Sequence, residues 1–280
     1  MSLMKYLRTC FIFGLIICLS VAAYAATKQE ETCIIINLAA KQRMLSQKMS
    51  KEILLIAQNI DADMNRINLE KTAKLFDKTL IGLLIGDEKL GLVKTENADI
   101  VRQLNNVGIA WKIFSKNVKA VLGGNTSRTV LQNVAFQNLS LLINLDEAVQ
   151  MYEKLKNGSA QMANTINKAG KQRMLTQKMT KELLLVAADI ESVTNKNDLA
   201  ATVSKFDQTL NELIAGTKIP AIINQLGVVK NKWEEYKPIL DKVDVSKNAL
   251  TKAAALNMLL LGEMNKVVQM YVNFAVVLKQ

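Results

Sequence analysis

Residues 36–57 read INLAAKQRMLSQKMSKEILLIA, and residues 166–187 read INKAGKQRMLTQKMTKELLLVA. The two stretches lie 130 residues apart and agree at 16 of 22 positions. The differences are Leu38/Lys168, Ala40/Gly170, Ser46/Thr176, Ser50/Thr180, Ile53/Leu183 and Ile56/Val186, and all but the first are conservative. On a helix, Leu45, Met49, Ile53 and Ile56 form an apolar stripe that faces a core, and Leu175, Met179, Leu183 and Val186 repeat it. A fold that contains this helix twice is a tandem duplication.

The same offset continues downstream, where Phe76-Asp77-Lys78-Thr79-Leu80 matches Phe206-Asp207-Gln208-Thr209-Leu210. Further on it shrinks, as loop deletions require: Trp111 pairs with Trp233, and Met151-Tyr152 with Met270-Tyr271. Asn157-Gly158-Ser159, a helix stop and restart, marks the boundary. Helical periodicity predicts four segments in the first copy, over 29–61, 69–87, 97–122 and 129–156. Four more follow in the second, over 159–194, 197–215, 220–240 and 246–279. The expected fold class is all-α: two tandem up-down-up-down four-helix bundles, residues 26–157 and 158–280, after a signal peptide at 1–25.

The leader reading rests on Lys5 and Arg8, the short apolar run Cys10–Leu19 and the small-x-small signal Ala23-Tyr24-Ala25. No later stretch has the ~18 apolar residues of a membrane helix. The expectation is therefore a soluble periplasmic protein. The net charge of +11 falls by two, to +9, with the leader, which favours small anions, acidic surfaces or anionic lipid. Cys10 and Cys18 leave too, so Cys33 remains as a spectator or an intermolecular link. The chain has no His. That removes His-based metal sites and Ser-His or Cys-His pairs, and with no glycine-rich phosphate loop it argues against an enzyme. No catalytic residue, metal or cofactor is expected. Nucleic acid is not expected either, because aromatic and basic residues do not interleave.

Beside the apolar stripe runs a second face, Ala39, Arg43, Ser46 and Ser50, repeated as Ala169, Arg173, Thr176 and Thr180. Small side chains there let another helix approach closely. An Arg in that strip is partly desolvated and needs an anion or carbonyl partner. No Asp or Glu lies three or four residues from Arg43 or Arg173. A guanidinium offers paired donors to a planar oxyanion, and two such helices crossing would put two Arg around one anion. Gln47 and Gln177 are one turn away as further donors, and Lys41, Lys48, Lys171 and Lys178 raise the local potential. The plain alternative is an Arg that faces solvent on a duplicated helix.

The run Asn-x-Ala-(Gly/Ala)-Lys-Gln-Arg-Met-Leu-(Ser/Thr)-Gln-Lys-Met resembles the first-helix signature of the PilJ/NarX-like sensor module. That module forms the N-terminal domain of type IV pili methyl-accepting chemotaxis transducers and of nitrate/nitrite sensor kinases. The resemblance implies a periplasmic four-helix bundle, usually dimeric. In the nitrate sensors, one Arg from each first helix grips a nitrate at the dimer interface. The matching positions are Arg43 and Arg173, with backbone near the ligand at Ala39-Ala40 and Ala169-Gly170. Ala40 stands where the family has Gly, and Lys48 and Lys178 where nitrate sensors carry a second Arg. No HAMP, kinase or methyl-accepting region is expected after the second copy.

The expected function is an exported sensor of a small anion, of nitrate or nitrite type, that signals through a separate membrane transducer or sensor kinase. Its ligand set is Arg43, Arg173, Ala39, Ala40, Ala169, Gly170, Ser46, Thr176, Gln47 and Gln177. A homodimer or an internal pseudo-dimer would complete the site. The alternative is a non-enzymatic interaction module whose small-residue face docks on a transducer's first helix without a small ligand.

Overall fold

A computed structural model describes residues 31–155 and 160–277, so the leader and the expected boundary at 157–159 lie outside the described residues. The described chain is helical: α1 (31–57), α2 (Ala62–Ile85), α3 (Ala98–Leu122), α4 (Arg128–Lys154), α5 (Ala160–Ala187), α6 (Ser192–Gly216), α7 (Pro220–Asp241) and α8 (Lys247–Val277). The all-α reading with four helices per copy holds. No described helix is long and apolar enough to cross a membrane.

The first helix of each copy ends earlier than its periodicity predicts, at 57 rather than 61 and at Ala187 rather than 194. The cause is one turn used twice. Asn59 and Asp61 have φ of 52° and 43°, and Asp189 and Glu191 have 52° and 44°. Asn tolerates this left-handed region, which breaks the helical ladder. The turn is then pinned by Asn65 Nδ2, which donates to the Ile60 carbonyl at 2.9 Å, and by Asn195 Nδ2, which donates to that of Ile190 at 2.8 Å. As a result α2 and α6 start several residues ahead of prediction.

Elsewhere local chemistry explains the breaks. Asn97 caps α3 by accepting from the Asp99 and Ile100 amides, and Pro220 opens α7 where an unpaired amide is not missed. The connection from α2 to α3 holds a short 3-10 turn, Glu88–Leu90, and buries Leu92. Its counterpart between α6 and α7 is much shorter, which takes the offset from 130 to 122 at the tryptophans, and α7 is three residues shorter than α3, which takes it to 119.

The aromatic anchors pair as the duplication requires. Phe76 packs tilted against Trp111 and Phe206 against Trp233, both with centroids 4.5 Å apart. Each indole N–H donates to the next residue on the preceding helix, Asp77 at 3.1 Å and Asp207 at 2.8 Å.

The two bundles are not separate bodies. One continuous apolar core contains residues of both copies. A helix in an isolated four-helix bundle keeps one face in water. Here nearly every residue from 42 to 56 is buried, and so is nearly every one from 172 to 186. These stretches include Gln42, Arg43, Ser46, Gln47, Ser50, Lys51 and Glu52, so α1 and α5 are central helices that pack against each other. Ala40 meets Gly170 near their N-terminal ends, and Gln58 Nε2 donates to the Leu184 carbonyl at 2.9 Å toward their C-terminal ends. The contacts follow the same order along both helices, so α1 and α5 run parallel.

Candidate functional site

The small-residue face decides how close α1 and α5 come. Ala39, Ala40, Ala169 and Gly170 are all buried, and a methyl group built on Gly170 would lie 3.0 Å from the Ala40 methyl. One glycine at the crossing is enough, which resolves the departure of Ala40 from the family pattern. The pair also occupies equivalent positions of the two copies, so it marks the pseudo-twofold of the duplication.

From this crossing the two arginines reach across reciprocally. Side chains on a helix lean toward its N-terminus, so each guanidinium points back to the opposite helix about two turns below. Arg43 Nη2 donates to Asn167 Oδ1 at 2.6 Å, and Arg173 Nη2 donates to Asn37 Oδ1 at 2.9 Å and to the Asn37 carbonyl at 3.3 Å. Asn37 and Asn167 are themselves equivalent positions. Both arginines are almost wholly buried, at 1% and 4% exposure, which excludes the solvent-facing alternative.

The symmetry ends at the carboxylates. Arg43 Nη1 donates to Asp146 Oδ1 on α4 at 2.5 Å. Asn167 Nδ2 donates to Glu153 Oε2 at 2.7 Å, so a second α4 carboxylate stands behind Arg43's amide partner. In the register set by Met151-Tyr152 and Met270-Tyr271, the α8 counterparts are Asn265 and Val272. No carboxylate pairs with Arg173 among the described residues, and its partners there are amide oxygens. Burial, with the Arg43 guanidinium nearby, pulls the Arg173 guanidinium down to about 9. Burial also lowers that of Arg43, against the opposing pull of Asp146. Although burial pushes the Asp146 carboxyl upward, Arg43 and Lys171 hold it below its ordinary value. The Nε donors of both arginines are buried without a partner.

The remaining expected ligands divide. The Ser46 hydroxyl donates to the Arg43 carbonyl at 2.8 Å and that of Thr176 to the Gln172 carbonyl at 2.9 Å, so both serve their own helix. Gln47 Nε2 donates weakly to Ser46 Oγ at 3.3 Å, and Gln177 Nε2 donates to Asn257 Oδ1 at 2.9 Å. The Oε1 atoms of Gln47 and Gln177 are buried and unpartnered. Two of the four lysines do not enrich the site, because Lys48 pairs with Glu52 and Lys178 with Glu182 one turn along their own helices. Lys41 does: burial and then Arg173 lower its ammonium. Cys33 is buried, which argues against an intermolecular link.

Sequence reading missed the partners of the arginines, and it missed Lys51 and Lys181. These two are buried one turn beyond Gln47 and Gln177, each aimed into the other copy's last helix. Lys51 Nζ donates to Asn257 Oδ1 at 2.9 Å, and Lys181 Nζ approaches Asn138 Oδ1 at 3.5 Å. The two asparagines also donate, Asn257 to the Thr176 carbonyl at 2.6 Å and Asn138 to that of Ser46 at 3.0 Å. Their signal was present: both lysines lie inside the repeated stretch, on the turn after the Arg face.

Two repeated helices with a small-residue crossing and reciprocal arginines coincide with two separate family matches. The model of the PilJ family, described as type IV pili methyl-accepting chemotaxis transducer N-term, matches residues 24–136 and 156–259. The chain belongs to this family. The PilJ match makes it a sensory, signalling-type module. A relative, methyl-accepting chemotaxis protein McpN of Pseudomonas aeruginosa, is 34% identical over 119 residues, which is 38% of this chain and 21% of that protein. The match therefore spans about a fifth of the relative's length. No solved structure matches.

The small-residue face of α1, expected under the interaction reading to dock on a transducer's first helix, is covered by this chain's own α5. The carboxylate that Arg43 meets also belongs to this chain. Docking through that face is therefore corrected.

Proposed function

We propose that this PilJ protein is a non-enzymatic periplasmic sensor that binds one small oxyanion of the nitrate or nitrite type between its two copies and reports occupancy to a separate membrane transducer or sensor kinase. The observation that carries the reading is Arg173: a buried guanidinium with amide oxygens as its partners, a second guanidinium nearby, and an unpartnered Nε donor. A buried cation without a counter-charge is costly, and an anion that offers planar oxygens relieves the cost. The in-chain pairing of α1 with α5 takes the place that a homodimer interface holds in the nitrate sensors. Arg43, Arg173, Gly170 and Ala40 form the centre of the site, and Ala39 and Ala169 flank it. Gln47 and Gln177 hold spare amide capacity one turn away, while Ser46 and Thr176 shape the wall.

The test is thermal unfolding of protein starting at residue 26, titrated with nitrate and nitrite against chloride at constant ionic strength. A ligand that binds the folded state stabilises it by mass action, by about 2.7 kcal/mol at a hundred times its Kd. A saturable rise that disappears in Arg173→Lys, which keeps the charge but loses the planar fork, supports the reading. A flat response with every anion sinks it.

A further inference from the structure

We propose that the cavity beside the N-terminal end of α5, which α6, α8 and the α6–α7 connection complete, binds one free α-amino acid with an apolar side chain, its carboxylate on Lys168 and its ammonium on Glu212. The cavity holds about 600 Å³, within the range of small-molecule sites, and neither Arg43 nor Arg173 lines it. In copy one the chain itself fills this place. Gly86 and Gly216 match at the offset of 130. Thr95 and Thr217, which share a hydrogen bond with the Tyr152 and Tyr271 hydroxyls respectively, match at 122. Residues 87–94 therefore have no counterpart in copy two. They form the Glu88–Leu90 turn and bury Leu92 against Gly82, where an added methyl would lie 3.0 Å from Leu92 Cδ1.

The lining changed together with the loss of that segment, and in two directions. Where copy one has Ile34, Ile35, Leu38 and Gly82, the cavity presents Asn164, Thr165, Lys168 and Glu212. Exposure alone accounts for that half, because uncovered positions favour polar side chains. It does not account for the other half. Thr32 is replaced by Met162, Asn97 by Ile219, and Leu155 by the larger Phe274. A face that merely met water would not gain these groups, and all three are half-buried. The outcome is an apolar floor with a few polar groups at its edge, which is the make-up of a ligand site.

The charges of the ligand follow from the rim. Lys168 Nζ and Glu212 Oε2 are 2.9 Å apart, with side chains 39% and 40% exposed, so the pair is weakly held and open to exchange with a solute. The other charges nearby are of both signs. Lys218 lines the cavity and Lys205 attracts Glu212, while Glu153 of α4 accepts from Asn164 Nδ2 at 3.0 Å. A lone carboxylate that takes Lys168 leaves Glu212 without its partner, and a lone amine does the reverse. An α-amino acid carries both charges on one carbon and replaces both partners at once. Its side chain then lies on Met162, Ile219 and Phe274, with buried Leu213 and Tyr271 behind.

The experiment is calorimetric titration and thermal unfolding of protein starting at residue 26, which retains every described helix. The probes are L-leucine and L-phenylalanine, with leucinamide and 4-methylpentanoate as analogues that each lack one charge. At least one amino acid is expected to bind saturably, one per chain, and each analogue at least about tenfold more weakly than leucine. Lys168→Leu, which gives copy two the residue of copy one, and Glu212→Gln are each expected to weaken the amino acid at least about tenfold. Both side chains are part-exposed, and far-ultraviolet circular dichroism separates lost binding from lost folding. Analogues that bind as tightly as leucine overturn the zwitterion assignment. Binding unchanged in both variants puts the amino acid elsewhere and overturns the site. No saturable response to either amino acid overturns the proposal as a whole. A nitrate titration of the same preparation keeps the two readings apart, because a nitrate response without an amino-acid response sinks this site alone, and the reverse sinks the anion reading alone.

Discussion

Ala40 and Gly170 are equivalent residues of the two copies that touch one another, and only one of them has a side chain. The ideal Cβ position on Gly170 is 3.0 Å from the Ala40 methyl, closer than packed carbons tolerate. Gly170→Ala gains about 1 kcal/mol of helix propensity but forces two central helices apart, at about 1–3 kcal/mol for overpacking. The expected outcome is net destabilisation in denaturant unfolding. The swap Ala40→Gly with Gly170→Ala restores the methyl-against-hydrogen contact and is expected to unfold within about 0.5 kcal/mol of wild type. A swap as unstable as Gly170→Ala alone would show that the crossing does not depend on this pair.

Lys51 and Lys181 make stability depend on pH. Burial pushes the Lys51 ammonium down to about 7 and that of Lys181 to about 8, despite the partial offset from Glu52 and Glu182 beside them. The unfolded chain keeps both protons up to the ordinary lysine value of 10.5. Between about pH 7 and pH 10 the unfolded state therefore binds more protons, so stability rises with pH through that window and is lowest below it. Buried Tyr236 and Tyr152, whose hydroxyls resist ionisation, reverse the trend only at higher pH. Lys51→Met is expected to flatten the slope and to stabilise the protein at pH 6 more than at pH 9. Urea midpoints at several pH values check this, and an unchanged slope would place Lys51 in contact with water.

Asn257 and Asn138 hold the same place in the two copies but carry unequal loads. Asn257 Oδ1 accepts from both Lys51 and Gln177 at 2.9 Å, whereas Asn138 Oδ1 is approached by Lys181 at 3.5 Å. Removing an acceptor strands its buried donors, at about 1–3 kcal/mol for each group left unsatisfied. Asn257→Ala is therefore expected to destabilise by at least about 1 kcal/mol more than Asn138→Ala. Equal losses in parallel denaturant titrations would refute the assignment.

Much of this molecule was legible from 22 repeated residues. The Leu45, Met49, Ile53 and Ile56 stripe is buried as its periodicity requires, and each arginine of the neighbouring face reaches across the helix pair to an asparagine of the other copy. Trp111 and Trp233 match across a changing offset, and each packs against its own phenylalanine. The local pattern does not show that α1 and α5 are buried on nearly every face. By spacing alone Lys48 and Lys178 read as site charge, and Lys51 and Lys181 read as solvated. In the fold the first pair is tied to Glu52 and Glu182, and the second is buried in the partner copy's last helix.

Helix periodicity, the duplication and the spacing of Arg43 from Ala39 and Ala40 are local properties, set by neighbours within a turn or two, and the amino-acid order determined them by itself. The partners of the arginines are not local. Asp146 is 103 residues from Arg43, and Asn167 is 124 away. Which carboxylate reaches which guanidinium depends on how α4 and α5 are rotated against α1, and that rotation is set by packing of the whole core. The tertiary structure alone therefore decided that one arginine is neutralised and its twin is not.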